Sequence, residues 1–79
     1  MEVNVGKLYR HFKGNEYKVI AIGYDSESNN DEELKKLVIY EDVLDRTKVW
    51  VRPYDMFVSK VDKIKYPDVK QEYRFEEIK

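Results

Sequence analysis

The sequence predicts an all-β domain: a small, strongly bent five-stranded sheet with one short helical turn. Three observations carry that expectation. Five short stretches are rich in β-branched and aromatic residues, at 8–12, 16–24, 37–43, 48–53 and 72–78. The polar turns "KGN" and "LDRT" join the first four into two hairpins. With 79 residues there is room for one core only, so residues 1–79 are expected to fold as a single domain.

In the first stretch Leu8, Arg10 and Phe12 alternate with Tyr9 and His11, and Gly14 and Asn15 both tolerate the positive φ of a tight turn. The return strand, 16–24, contains Val19, Ile20, Ala21 and Ile22, apolar on both faces as in the centre of a barrel or sandwich. Gly23 near its end suggests a bulge or bend. "DSESNNDEELKK" (25–36) has no strand character; it is a loose acidic loop or a short helical turn capped by Asn30 or Asp31. "LVIYEDV" and "KVWVRP" form the second hairpin, ended by Pro53, which has no N–H for the ladder. "PYDMF" then reads as one helical turn with Pro at its first position. The stretch 58–71 is charged and irregular, with Pro67 as a breaker, and "EYRFEEI" supplies a closing edge strand. Five-stranded SH3-like barrels close their edges in this way, and that is the architecture expected here.

Composition excludes several chemistries. Without cysteine there is no disulfide framework, thiolate metal site or cysteine nucleophile, which suits a reducing cytoplasm. The start "MEVNVGKLYR" lacks a basic segment followed by an apolar run, so no signal peptide is expected. The apolar run Val19 to Ile22 is far short of the roughly 20 residues that span a bilayer. A cytoplasmic protein without a membrane partner is the expectation. The net charge of −1 is unevenly spread. Residues 1–24 carry four basic and two acidic groups, residues 25–46 three and eight, and residues 47–79 eight and six. The acidic block in the middle repels a bound anion.

One histidine and no cysteine leave carboxylates as the only other metal ligands, and "DSESNNDEE" has Asn30 where a calcium loop needs glycine. No metal and no cofactor are expected. Ser26 and His11 could belong to a hydrolytic triad, but no G-x-S-x-G elbow surrounds the serine. The scattered glycines at 6, 14 and 23 form no phosphate loop. Catalysis is therefore not the expectation, although His11 leaves it open, and no catalytic residue is assigned.

Nucleic-acid recognition needs aromatic platforms among basic residues. Tyr9, Tyr17, Tyr24, Tyr40, Trp50 and Tyr54 supply the first, and Lys7, Arg10, Lys13, Lys18, Lys48 and Arg52 the second. Packing is the simpler explanation of aromatics in so short a chain.

The pair Trp50 and Arg52 is more informative. On a strand they share one face, while Val49 and Val51 share the other. With the valines, Met56 and Phe57 in the core, Trp50 and Arg52 are left over. Two readings stay open: a cation–π stack that stiffens the sheet, or a groove with a planar wall and a fork for carboxylate or phosphate. His11 is either an exposed polar residue or, if it faces Tyr40 or Trp50, a ligand contact.

"HFKGNEYKVI", "LVIYE", "WVRPYDMF" and a late "RF" resemble the short bacterial proteins of domain-of-unknown-function family 1653. Its pattern runs roughly H-[FY]-K-G-x-x-Y-x-V, H-S-E-T, L-V-x-Y, W-V-R-P-x-x-M-F and P-R-F, over nearly the whole chain. Asp25, Ser26, Glu27 and Ser28 stand in place of H-S-E-T, and Tyr73 in place of the last proline. The resemblance implies a compact SH3-like barrel with no settled activity. On matching positions it points to His11, Lys13, Gly14, Ser26, Glu27, Tyr40, Trp50, Arg52, Pro53 and Phe57. Gly14 and Pro53 are most simply structural, and His11, Lys13, Ser26, Glu27, Tyr40, Trp50 and Arg52 are the candidate site residues.

The expectation is thus a small non-enzymatic binding module. Its groove, lined by Trp50, Arg52, Tyr40 and His11 and flanked by the 25–36 loop, takes a peptide, a protein or a small anionic ligand. The alternatives are a single-stranded nucleic-acid-binding module, which the acidic block counts against, and a structural unit without a ligand. A monomer or a weak dimer formed through an exposed edge strand is expected.

Overall fold

The computed structural model describes residues 1–28 and 34–79. The helical turn expected to begin at Asn30 or Asp31 lies outside them. The elements are β1 (Leu8–His11), β2 (Glu16–Tyr24), β3 (Lys36–Asp42), β4 (Val49–Pro53), α1 (Tyr54–Phe57) and β5 (Phe75–Glu77). They form an antiparallel sheet in the order β4-β3-β2-β1-β5.

The turns follow from local chemistry. Between β1 and β2 the chain reverses through Gly14 at φ 108°, where an L side chain would be strained. Asn15, the other candidate for positive φ, does not adopt it. The His11 amide donates to the Asn15 carbonyl at 2.8 Å, and the Gly14 amide to that of His11 at 2.8 Å. Between β3 and β4 the Asp42 Oδ1 accepts from the amides of Leu44 (2.8 Å) and Asp45 (3.2 Å), an Asx turn that fixes the hairpin register. Pro53 stands at the N-cap of α1, one position before the expected one, with φ −54° and ψ 139°.

β4 and β5 are the two edges of the sheet and do not pair, so no hydrogen-bonded barrel closes. The sheet nevertheless curls. Tyr40 on β3 and Phe75 on β5 stand three strand spacings apart, about 14 Å in a flat sheet, yet their ring centroids are 5.5 Å apart. Part of the bend comes from a bulge that leaves Ile20 unpartnered between Val19 and Ala21. Gly23, expected to mark the bulge, is regularly paired with Leu37. Its reason is local: a Cβ there would lie 3.2 Å from Ile39 Cδ1.

The core fills the concave face with Val3, Tyr9, Val19, Val38, Tyr40, Phe57 and Phe75. Phe57 and Phe75 stack at 4.0 Å and 4°, and the edges of Tyr9 and Tyr40 meet Phe57 at 5.5 and 5.4 Å. Burying each such ring contributes on the order of 2–3 kcal/mol. The single turn of α1 thus serves to lay Phe57 onto β5 across the open side of the sheet.

The expected inward role of Val49, Val51 and Met56 is not what the fold does. These side chains are 53 %, 59 % and 47 % exposed, and only Phe57 joins the core. Register gives the reason. Buried Val38 and Tyr40 pair with Arg52 and Trp50, and cross-strand partners share a face, so Arg52 and Trp50 take the concave side and the valines turn outward. No helix among the described residues is long and apolar enough to cross a membrane.

Candidate functional site

A groove of about 500 Å³ opens at the end of the concave face where β1 turns into β2. His11 and Phe75 meet edge to face at 4.9 Å in it, and His11 also stacks on Phe12 at 4.5 Å. The Lys13 amide donates to His11 Nδ1 at 3.1 Å, so the neutral ring carries its proton on Nε2, as a donor. Burial holds the imidazole pKa down at about 4, helped by the charges of Arg52, Arg74 and Lys13. At neutral pH the ring is uncharged.

The second wall comes from β3 and β4. Tyr40 is buried, and its ladder partner Trp50 is 45 % exposed at the rim. Arg52 Nε donates to the Tyr40 hydroxyl at 3.2 Å, and its guanidinium lies 5.5 Å from the Phe75 ring centroid. The cation–π partner of Arg52 is thus Phe75, not Trp50. Two anchors orient the planar fork and leave both terminal nitrogens free of any protein hydrogen bond among the described residues.

The third wall is the chain between α1 and β5, which sequence reasoning left as irregular. Lys60 bridges Tyr73, the Val61 amide donates to the Glu72 carbonyl at 2.9 Å, and the Arg74 amide to that of Ser59 at 2.8 Å. This short arm holds a loop against the groove. Asp62 Oδ1 accepts from the amides of Ile64 (3.0 Å) and Lys65 (3.2 Å), shaping the loop from within. Tyr66 packs on Phe12 at 5.0 Å, with the ammonium groups of Lys13 and Lys65 at 5.7 and 5.5 Å from its ring. Arg74 is steadied by Ser59 Oγ, which accepts from its Nε at 3.1 Å.

Four basic side chains therefore line the groove, Lys13, Arg52, Lys65 and Arg74, against one carboxylate, Asp62. None of the four forms an ion pair among the described residues. Low-dielectric aromatic walls strengthen their field, and the arrangement suits an anion carrying a flat apolar part.

Of the residues singled out from sequence, His11, Lys13, Tyr40, Trp50 and Arg52 come together here. Ser26 and Glu27 do not line the groove. They follow the other end of β2, a strand whose nine residues span about 30 Å, in a turn where the Glu27 amide donates to Asp25 Oδ1 at 2.9 Å. Lys65, Tyr66 and Arg74 were missed. For Arg74 the signal was present in the late "RF"; Lys65 and Tyr66 sit in a loop whose position no local pattern announces. Among the described residues no group of three or more His, Asp or Glu side chains is placed to hold a metal ion.

Neither a curated protein nor a solved structure matches the chain. A family model, described as a protein of unknown function (DUF1653), matches residues 7–77, a span that takes in every wall of the groove. The chain belongs to the DUF1653 family.

Proposed function

We propose that this chain is a binding module, not an enzyme, and that its groove takes an anionic group of a small molecule, peptide or protein. The observation that carries this reading is the set of four basic side chains around an aromatic floor, none of them neutralised by a carboxylate among the described residues. Supporting the non-enzymatic part, the lining among the described residues contains no serine or threonine hydroxyl, and a histidine with a pKa near 4 is a weak base at neutral pH. The curled sheet, read as an SH3-like barrel left open between β4 and β5, gives such a groove at its open side. A cytoplasmic setting fits the lack of cysteine.

The test is an NMR titration of the 15N-labelled chain with acetate and with inorganic phosphate, at low and then physiological salt. Shifts concentrated on the Arg52 and Arg74 Nε–H and the Trp50 indole support the reading. Shifts absent there, or spread over all surface lysines and lost with salt, overturn it.

A second reading rests on a different observation. Among the described residues β4 is an unpaired edge whose outward Val49 and Val51 are both more than half exposed, the arrangement through which strands of two copies pair. A sedimentation coefficient independent of concentration removes this dimer.

A further inference from the structure

The charge of the groove and the state of its walls narrow the anion further, on the basis of the anion-binding reading above. With four basic groups and one carboxylate the lining carries three net positive charges. A carboxylate ligand would leave two of them uncompensated. A phosphomonoester carries about −1.5 to −2 at neutral pH and three acceptor oxygens. Its oxygens match the donors on hand: the free nitrogens of Arg52, the guanidinium of Arg74, and the Nε2–H of the neutral His11.

The walls add a second requirement. Trp50 keeps nearly half of its surface open at the rim, beside its ladder partner, the buried Tyr40. Neither a stacking partner nor a cation over its ring occupies it among the described residues. An indole open in this way offers a face to a flat ring, and nucleobases stack on such faces with little regard to sequence. The volume of about 500 Å³ falls within the range of small-molecule sites, about 300–1,000 Å³.

We propose that the groove binds a nucleotide bearing a terminal phosphate, with the phosphate among Arg52, Arg74 and His11 and the base against Trp50. The same chemistry is offered by a free nucleoside 5′-monophosphate and by the 5′-phosphorylated end of a single strand.

The experiment titrates the full chain, 15N-labelled, with inorganic phosphate, adenosine, adenosine 5′-monophosphate, O-phosphotyrosine, and a tetranucleotide with and without a 5′-phosphate. The expected result is that the monophosphate or the phosphorylated tetranucleotide binds at least about tenfold more tightly than inorganic phosphate or adenosine alone, shifting both the Trp50 indole and the Arg52 Nε–H. Trp50→Ala should cut the affinity for the nucleotide at least about tenfold, towards that of inorganic phosphate, and a dispersed 15N spectrum shows that the variant is folded. Tighter binding of the monophosphate assigns a free nucleotide; tighter binding of the phosphorylated tetranucleotide assigns a strand end. If phosphate and nucleotide bind equally, the nucleotide inference fails while the anion groove stands. If O-phosphotyrosine binds best, the ligand is a phosphorylated protein and the inference fails. If no anion shifts the groove, both readings fail together.

Discussion

The guanidinium of Arg52 lies 5.5 Å from the ring centroid of Phe75, although the two residues stand on opposite edges of the sheet. Flat, β4 and β5 would be four strand spacings apart, about 19 Å. The contact is where the sheet's two ends meet without pairing, and it ties Arg52, a donor facing the groove, to the ring at the centre of the core.

That double attachment predicts the effect of removing it. Arg52→Met should lower unfolding free energy by about 1–2 kcal/mol, through loss of the Tyr40 hydrogen bond and the Phe75 stack. Arg52→Lys keeps the charge but not the Nε–H or the planar fork, and should recover less than half of the loss. Urea unfolding of the three proteins measures this. A lysine variant as stable as wild type would contradict the geometry.

Phe75 faces His11, Tyr17, Tyr40 and Phe57. Phe75→Ala should cost about 3–5 kcal/mol, a large share of the roughly 5–15 kcal/mol that domains possess. Tyr66→Ala, in the loop over the groove, should cost less than about 1.5 kcal/mol. Thermal melts followed by far-UV circular dichroism should place the midpoint of Phe75→Ala well below that of Tyr66→Ala.

The glycines differ in what they tolerate. Gly14 has open space around a would-be Cβ, but its φ of 108° strains any L side chain, so Gly14→Ala should cost about 1–2 kcal/mol. At Gly23 the φ is ordinary and the obstacle is the tip of Ile39 at 3.2 Å. Gly23→Ala should stay within about 1 kcal/mol of wild type, because Ile39 Cδ1 can give way. Chemical denaturation of both variants decides the order.

His11 gives a pH dependence with a definite sign. Its folded pKa, about 4, lies below the unfolded value of 6.5, so between these limits the unfolded chain binds more protons. Stability should therefore fall as pH drops from 6.5 towards 4. His11→Asn, which keeps an acceptor for the Lys13 amide but does not titrate, should show less of that fall; carboxylates titrating in the same window are common to both proteins. Identical pH profiles for the two would contradict the burial of a neutral imidazole. An anion held in the groove should raise the His11 pKa, read directly from ring proton shifts.

Local chemistry in the sequence determined the strands, the two hairpins, the end of β4 at Pro53 and the helical turn that ends at Phe57. Turn residues, β-branched runs and a proline without an N–H act within a few residues and can be read in place. The pairing of Trp50 and Arg52 on one face was equally legible, because the period of a strand is two. Which face turns inward was not. The apolar valines pointed to the wrong side, since the choice lay with the register of β4 against Val38 and Tyr40. Only the tertiary structure brought Arg74, Lys65 and Tyr66 to His11, and set Ser26 and Glu27 at the far end of β2. Those placements depend on the curl of the sheet and on an irregular arm closed by single long-range hydrogen bonds, and neither leaves a periodic mark on the chain.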